Sequence, residues 1–184
     1  MDGWPTSSRG TLPDVRFALA SNQGFPLPAE LESLKDSDRG KVLIADGTAP
    51  RIAGRRPINV AVGILWNSEQ NFLMTTRPPG KVYAGYWEFP GGKLEAAETV
   101  EDALRRELRE ELGIQVQAMQ RWKFQRVDYP HALVSLHFVK VTSWIGALQM
   151  NESQSFSWQS LPIRVGPVLP GASPVLEWIK AEQG

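Results

Sequence analysis

From Ile58 the chain runs Ile-Asn-Val-Ala-Val-Gly-Ile-Leu-Trp, β-branched and apolar almost throughout, and then meets Asn67-Ser68-Glu69. That pattern predicts a buried strand ending at a turn. Residues 71–76 predict the returning strand of a hairpin, which Arg77-Pro78-Pro79-Gly80 breaks into a loop running to Trp87. Beyond Thr99 the apolar period lengthens to that of a helix, with Val100, Leu104, Leu108 and Leu112 on one stripe. Thr99, with Asp102 three residues on, resembles a capping box, and Gly113 sits where a helix end wants a left-handed residue. Residues 122–129 and 133–142 predict two more strands separated by Pro130-His131, and a polar loop at 149–155 precedes a short strand at 156–158. A last helix is expected near Ser173-Pro174, with Ser173 as its N-cap and Val175, Leu176 and Ile179 on one face. Helices should therefore flank a mixed sheet in an α/β fold.

Residues 1–56 differ from this. They are rich in Gly, Pro, Ser and Asp and lack sustained periodicity, apart from a short helix expected at 28–35. The reading is an N-terminal extension, either a partly disordered tail or a segment that packs on the domain or on a second copy, followed by one domain at 57–184. Arg51, Arg55 and Arg56 read as a solvated linker or as a small binding cluster. The 184 residues suffice for one domain with a substantial core.

Composition narrows the chemistry. Lys plus Arg number 20 and Asp plus Glu number 20, so no net field favours duplex nucleic acid, whereas a small anionic ligand bridged by metal remains compatible. With no cysteine, disulfides, thiolate zinc sites and cysteine nucleophiles are excluded together, and a reducing compartment is favoured. No apolar run approaches the roughly 20 residues that span a bilayer, which predicts a soluble, cytoplasmic protein without a membrane partner. His131 and His137 lack ligand spacing and read as structural.

The helix at 99–112 carries the candidate chemistry. Glu107, Glu110 and Glu111 lie at i, i+3 and i+4 and so share one sector beside the apolar stripe. Each like-charged pair costs a few tenths of a kcal/mol in a bare helix. A hard divalent cation such as Mg²⁺ or Mn²⁺ would offset that repulsion. So would Arg105, Arg106 and Arg109 on a merely solvated acidic face.

The wider spacing separates these readings. Gly92, five residues, Glu98, seven residues, Arg106-Glu107-Leu108, one residue, Glu110-Glu111, one residue, Gly113-Ile114 is identified as the signature of the Nudix hydrolase family. Typed positions at roughly 7% usage each would match this by chance on the order of 10⁻⁹ per starting point. The resemblance implies an α/β/α sandwich with a central mixed sheet. It implies that Glu107, Glu110, Glu111 and the Gly91 carbonyl hold metal, that Arg106 pairs with Glu98 and positions Glu107, and that Lys93 approaches a phosphate. Gly92, Glu98 and Gly113 would be structural.

Within the family the chain is similar to the MutT type, which cleaves nucleoside triphosphates to monophosphate and pyrophosphate and is known for removing 8-oxo-dGTP. The points of similarity are Val60-Ala-Val-Gly-Ile, Arg77, Trp87-Glu88-Phe89-Pro90-Gly91-Gly92, Tyr129-Pro130 and Asn151-Glu152 before Trp158. By that likeness Glu152 is a further metal ligand and rivals Glu107 as general base, while Arg77, Glu88, Phe89 and Tyr129 border the nucleotide; Phe89 and Tyr129 read equally well as core aromatics.

One departure bears on substrate choice. Where the MutT type presents an asparagine to the purine edge before its last helix, this chain has Pro170-Gly171-Ala172-Ser173-Pro174. Ala172 has no amide to offer, which leaves the preferred base open; Ser173 is the nearest hydroxyl. Three alternatives therefore stand: a nucleoside triphosphate hydrolase, monomeric or homodimeric; the same chemistry on a nucleotide sugar, ADP-ribose or dihydroneopterin triphosphate; or a non-catalytic recognition module.

Overall fold

A computed structural model of the chain describes residues 16–19, 41–45 and 54–184. The helix expected at 28–35 and Arg51 of the basic cluster lie outside the described residues. The apolar run from Ile58 forms β3 (Ile58–Leu65), a central strand because both of its edges are paired. On one side lies β8 (Leu133–Ile145), parallel to it, and on the other β6 (Gly91–Lys93), antiparallel. β7 (Gln115–Asp128) pairs antiparallel with β8, and β2 (Lys41–Ile44) pairs in parallel with β7. With β1 (Arg16–Leu19) at the edge, the order is β1-β2-β7-β8-β3-β6. The sheet is mixed, and its β1 and β2 come from the segment that reads as an extension.

Helix α1 (Val100–Leu112) packs on one face of this sheet and α2 (Ser173–Gln183) on the other. The α1 stripe of Val100, Leu104, Leu108 and Leu112 meets Ala61, Leu65, Val139 and Val141. On the opposite face Val175 and Ile179 pack with Val62, Ile64 and Phe138. Each fully buried aliphatic side chain contributes about 1.5–3 kcal/mol, so the α1 stripe outweighs by several-fold the charge repulsion on its exposed side.

Local signals set the ends of α1. The Thr99 side chain accepts the Asp102 N–H, and its hydroxyl donates to Asp102 Oδ2 at 2.7 Å. Gly113 is left-handed at φ 67° and donates its N–H back to the Arg109 and Leu108 carbonyls. Replacing Thr99 by Ala should lower unfolding free energy by about 1 kcal/mol, measured by urea denaturation.

Several expectations are corrected. β4 (Phe72–Thr76) does not return along β3 as a hairpin; beyond a single bridge between Trp66 and Phe72 it joins β5 (Trp87–Glu88) and β9 (Phe156–Gln159) in a second sheet of order β5-β4-β9. On the edge of β3 away from β8, the residues of β6 take the place at Val60–Val62. β7 starts at Gln115, earlier than expected, because its first half is largely exposed and carries register shifts that hide the alternation. Ser173 is not a side-chain cap: a turn of 3-10 helix at Pro170–Ala172 runs into α2, Ala172 holds the cap position, and no side-chain cap bond forms. Arg55 is not a solvated linker residue, since Nη1 bonds Oδ1 of the buried Asp128 at 2.5 Å and Nη2 donates to the Tyr129 carbonyl. Among the described residues no helix is long and apolar enough to cross a membrane.

Candidate active site

A cavity of about 650 Å³ opens between β6, the exposed sector of α1 and the loop after β4. Its size suits a nucleotide. Its wall combines charged groups, Glu107, Glu111, Lys93 and Lys81, with apolar and aromatic ones, Tyr83, Tyr129, His131 and Ala172.

Arg106 organises the acidic side chains. Its Nε and Nη2 grip the two Glu98 oxygens at 2.8 and 2.9 Å, and Nη2 also donates to the Lys93 carbonyl. Nη1 donates to Glu107 Oε1 at 2.8 Å and lies 3.5 Å from Glu110 Oε2. Such fork geometry fixes orientation as well as charge. Arg106 and the Glu95 N–H hold the Glu98 carboxyl down at about 2. The expected pairing of Glu98, Arg106 and Glu107 is thus present in the folded chain.

The three helix carboxylates are not equivalent. Glu107 and Glu111 enter the cavity wall, whereas Glu110 stays outside it and exposed. Glu111 accepts the Gly91 N–H at 3.1 Å, yet burial pushes its carboxyl up to about 8, with Glu107, Glu88 and Glu152 adding to the rise. Acidic groups therefore converge on one desolvated carboxylate. Among the described residues no three such side chains already stand at ligating distance from one point. The donor set still suits a hard divalent cation, because the charge it leaves uncompensated is oxygen-borne and negative.

Glu152 is not in the cavity wall itself but is tied to it through Lys81. Its Oε2 pairs with Lys81 Nζ at 2.9 Å, two loops 71 residues apart in sequence. Arg77 Nη1 contacts both Glu88 oxygens at 3.0 and 2.7 Å, and its Nε bonds the Val82 carbonyl. Burial pushes the Glu88 carboxyl above its ordinary range against the pull of Arg77.

Phe89 and Tyr129 turn out to be core and wall together: both are buried, Phe89 packs on Phe72, and both line the cavity. The Tyr129 hydroxyl accepts the Gly171 N–H at 3.1 Å. Tyr83 carries no signal in the sequence and His131 reads there as structural; both line the cavity, and their rings meet Tyr129 at 5.8 and 5.5 Å. His137 is half-buried, its Nε2 3.2 Å from Asn59 Oδ1. Ala172 contributes to the wall but Ser173 does not.

A NUDIX domain model matches residues 56–179. The chain belongs to the Nudix family. Among curated Nudix relatives it is similar to the 8-oxo-dGTP diphosphatase of Haemophilus influenzae, 38% identical over 104 residues, which is 56% of this chain and 76% of the relative. It is also similar to the CTP pyrophosphohydrolase of Escherichia coli, 35% identical over 121 residues, 65% of this chain and 89% of that one. A solved MutT structure from work on Aliivibrio salmonicida and Vibrio cholerae aligns with a TM-score of 0.56 at 35% identity, covering 69% of this chain and 99% of that one. The fold and family are those the sequence implied, and the chain is a Nudix pyrophosphohydrolase.

Proposed function

We propose that this Nudix enzyme hydrolyses nucleoside triphosphates to the monophosphate and pyrophosphate with Mg²⁺, for which Mn²⁺ substitutes. The observation that carries this reading is the joining, in the wall of one cavity, of the carboxylates Glu107 and Glu111 with the rings of Tyr83, Tyr129 and His131. Polyphosphate suits the first, and a base and sugar suit the second.

Glu107 and Glu111 would hold the cation, with the Gly91 carbonyl, Glu110 and Glu152 as further oxygen donors. When bound, the cation neutralises phosphate charge and makes the attacking water more acidic. Arg106 fixes the Glu107 carboxylate through its 2.8 Å bond, and Glu107 takes the proton from that water. Lys81 and Lys93, both exposed along the cavity, face the phosphate chain.

Base preference follows from Ala172. A methyl group in the wall reads no purine edge, so stacking carries most of the base binding, and an oxidised purine such as 8-oxo-dGTP gains little over a pyrimidine. The relatives named for 8-oxo-dGTP and for CTP fit that breadth. In a panel of normal and oxidised triphosphates, pyrophosphate release is expected from several, with kcat/KM values within about tenfold of one another. Ala172→Asn should then raise the ratio for 8-oxo-dGTP over dCTP by about 10- to 100-fold, the worth of roughly 1–3 kcal/mol of buried hydrogen bonding. Two monophosphate products from ADP-ribose or a nucleotide sugar, with no pyrophosphate from any triphosphate, would overturn the substrate assignment.

A further inference from the structure

In the loop that carries Glu152, residues 151, 152, 153 and 155 are exposed and Gln154 alone is buried, at 7%. A buried amide has to be satisfied, and both ends of this one are. Its Oε1 accepts the Glu152 N–H at 2.8 Å, and its Nε2 donates to the Glu111 carbonyl at 3.1 Å. Ser153 between them is left-handed at φ 60°, a conformation that L residues other than Asn and Asp rarely adopt. One side chain thus ties the backbone of Glu152 to the backbone of Glu111.

Capping of α1 does not account for this bond. The Glu111 carbonyl already accepts the Asn151 N–H at 3.1 Å, Asn151 Nδ2 serves the Glu110 carbonyl at 2.8 Å, and the Gln149 N–H serves Leu112 at 2.9 Å. Deleting the Gln154 amide leaves no helix-end carbonyl orphaned. What it frees is the Glu152 N–H.

We infer that Gln154 is a positioning residue for Glu152, holding that carboxylate in register with Glu111 so that the two serve one cation. The inference rests on the proposed role of Glu152 as an oxygen donor. Lys81 cannot do this work, since its ion pair with Glu152 is half exposed on both sides and joins two mobile-length side chains.

The test uses the full chain and the variants Gln154→Met, Glu152→Gln and the double variant. Methionine keeps the length and packing of Gln154 while removing both bonds; Gln154→Glu keeps the acceptor for the Glu152 N–H. In the metal-free protein, amide hydrogen exchange by NMR should show the Glu152 N–H protected in the wild type and in Q154E, and unprotected in Q154M. Mn²⁺ affinity, followed by electron paramagnetic resonance, should fall roughly 10- to 100-fold in Q154M. In the E152Q background the same substitution should cost nothing further. An equal loss in both backgrounds, or a Glu152 amide as protected in Q154M as in the wild type, would overturn the proposal alone. If E152Q by itself binds Mn²⁺ as the wild type does, the Glu152 role falls first and the positioning role with it.

Discussion

Glu107→Gln should lower kcat by about 10²- to 10⁴-fold while leaving the fold intact. The amide has the size of the carboxylate, and its oxygen still accepts from Arg106 Nη1, so the bidentate grip of Arg106 on Glu98 is undisturbed. What disappears is the negative charge, and with it both a hard ligand and a proton acceptor. Stability in the absence of metal should hold or rise slightly, because Glu107 is the leading charge among those that push Glu111 up. A second readout keeps the chemistry separate from folding. A cation that binds only the native state raises the melting temperature with the logarithm of its affinity, so Mg²⁺ or Mn²⁺ should stabilise the wild type more than the variant. Full turnover in Glu107→Gln would remove Glu107 from the mechanism and return the proton to another group.

How far such an outcome could be foreseen from sequence depends on the range of the contacts involved. The apolar stripe of α1, its Thr99 and Gly113 ends, and the shared sector of Glu107, Glu110 and Glu111 are set by residues three and four apart, so they are legible by counting. The pairing of Glu98 with Arg106 spans eight residues and was implied by family resemblance, not by geometry. The inequality of the three carboxylates was not legible: burial of Glu111 and exposure of Glu110 depend on β6 and on the loop that carries Gln154. The same holds for β4. Its short apolar run fits a hairpin with β3 equally well, yet its backbone pairs with β5 and β9. Tyr83, between β4 and β5, and His131, between β7 and β8, lie on separate loops that meet ring to ring at 6.1 Å, a long-range contact no local pattern reveals. Gln154 looked like any polar loop residue, and its burial was the missing signal.

Two neighbouring glycines offer the sharpest separation of folding from function. A Cβ on Gly92 would fall 2.1 Å from Glu107 Cδ and within 2.4 Å of both carboxylate oxygens. No position that close is tolerable, yet the clashing atoms are the far end of a flexible side chain, which can rotate away at little cost in folding energy. Gly92→Ala should therefore melt within a few degrees of the wild type and lose activity about as fully as Glu107→Gln, on the order of 10²- to 10⁴-fold. The rotation would also break the Arg106–Glu107 bond, leaving Arg106 held by Glu98 and the Lys93 carbonyl. Gly91 is the contrast: at φ 144°, its added Cβ would lie 2.1 Å from the Ala61 carbonyl oxygen, a backbone atom of the central strand that has nowhere to go. The backbone conformation alone costs about 1–3 kcal/mol for a residue with a side chain, and separating β6 from β3 adds to it. Gly91→Ala should therefore fail as a fold, with a lowered melting temperature, where Gly92→Ala fails as an enzyme. Paired thermal melts and pyrophosphate-release assays on the two variants read this directly. A Gly92→Ala protein that turns over normally would mean that the Glu107 carboxylate need not occupy the place Gly92 keeps open for it.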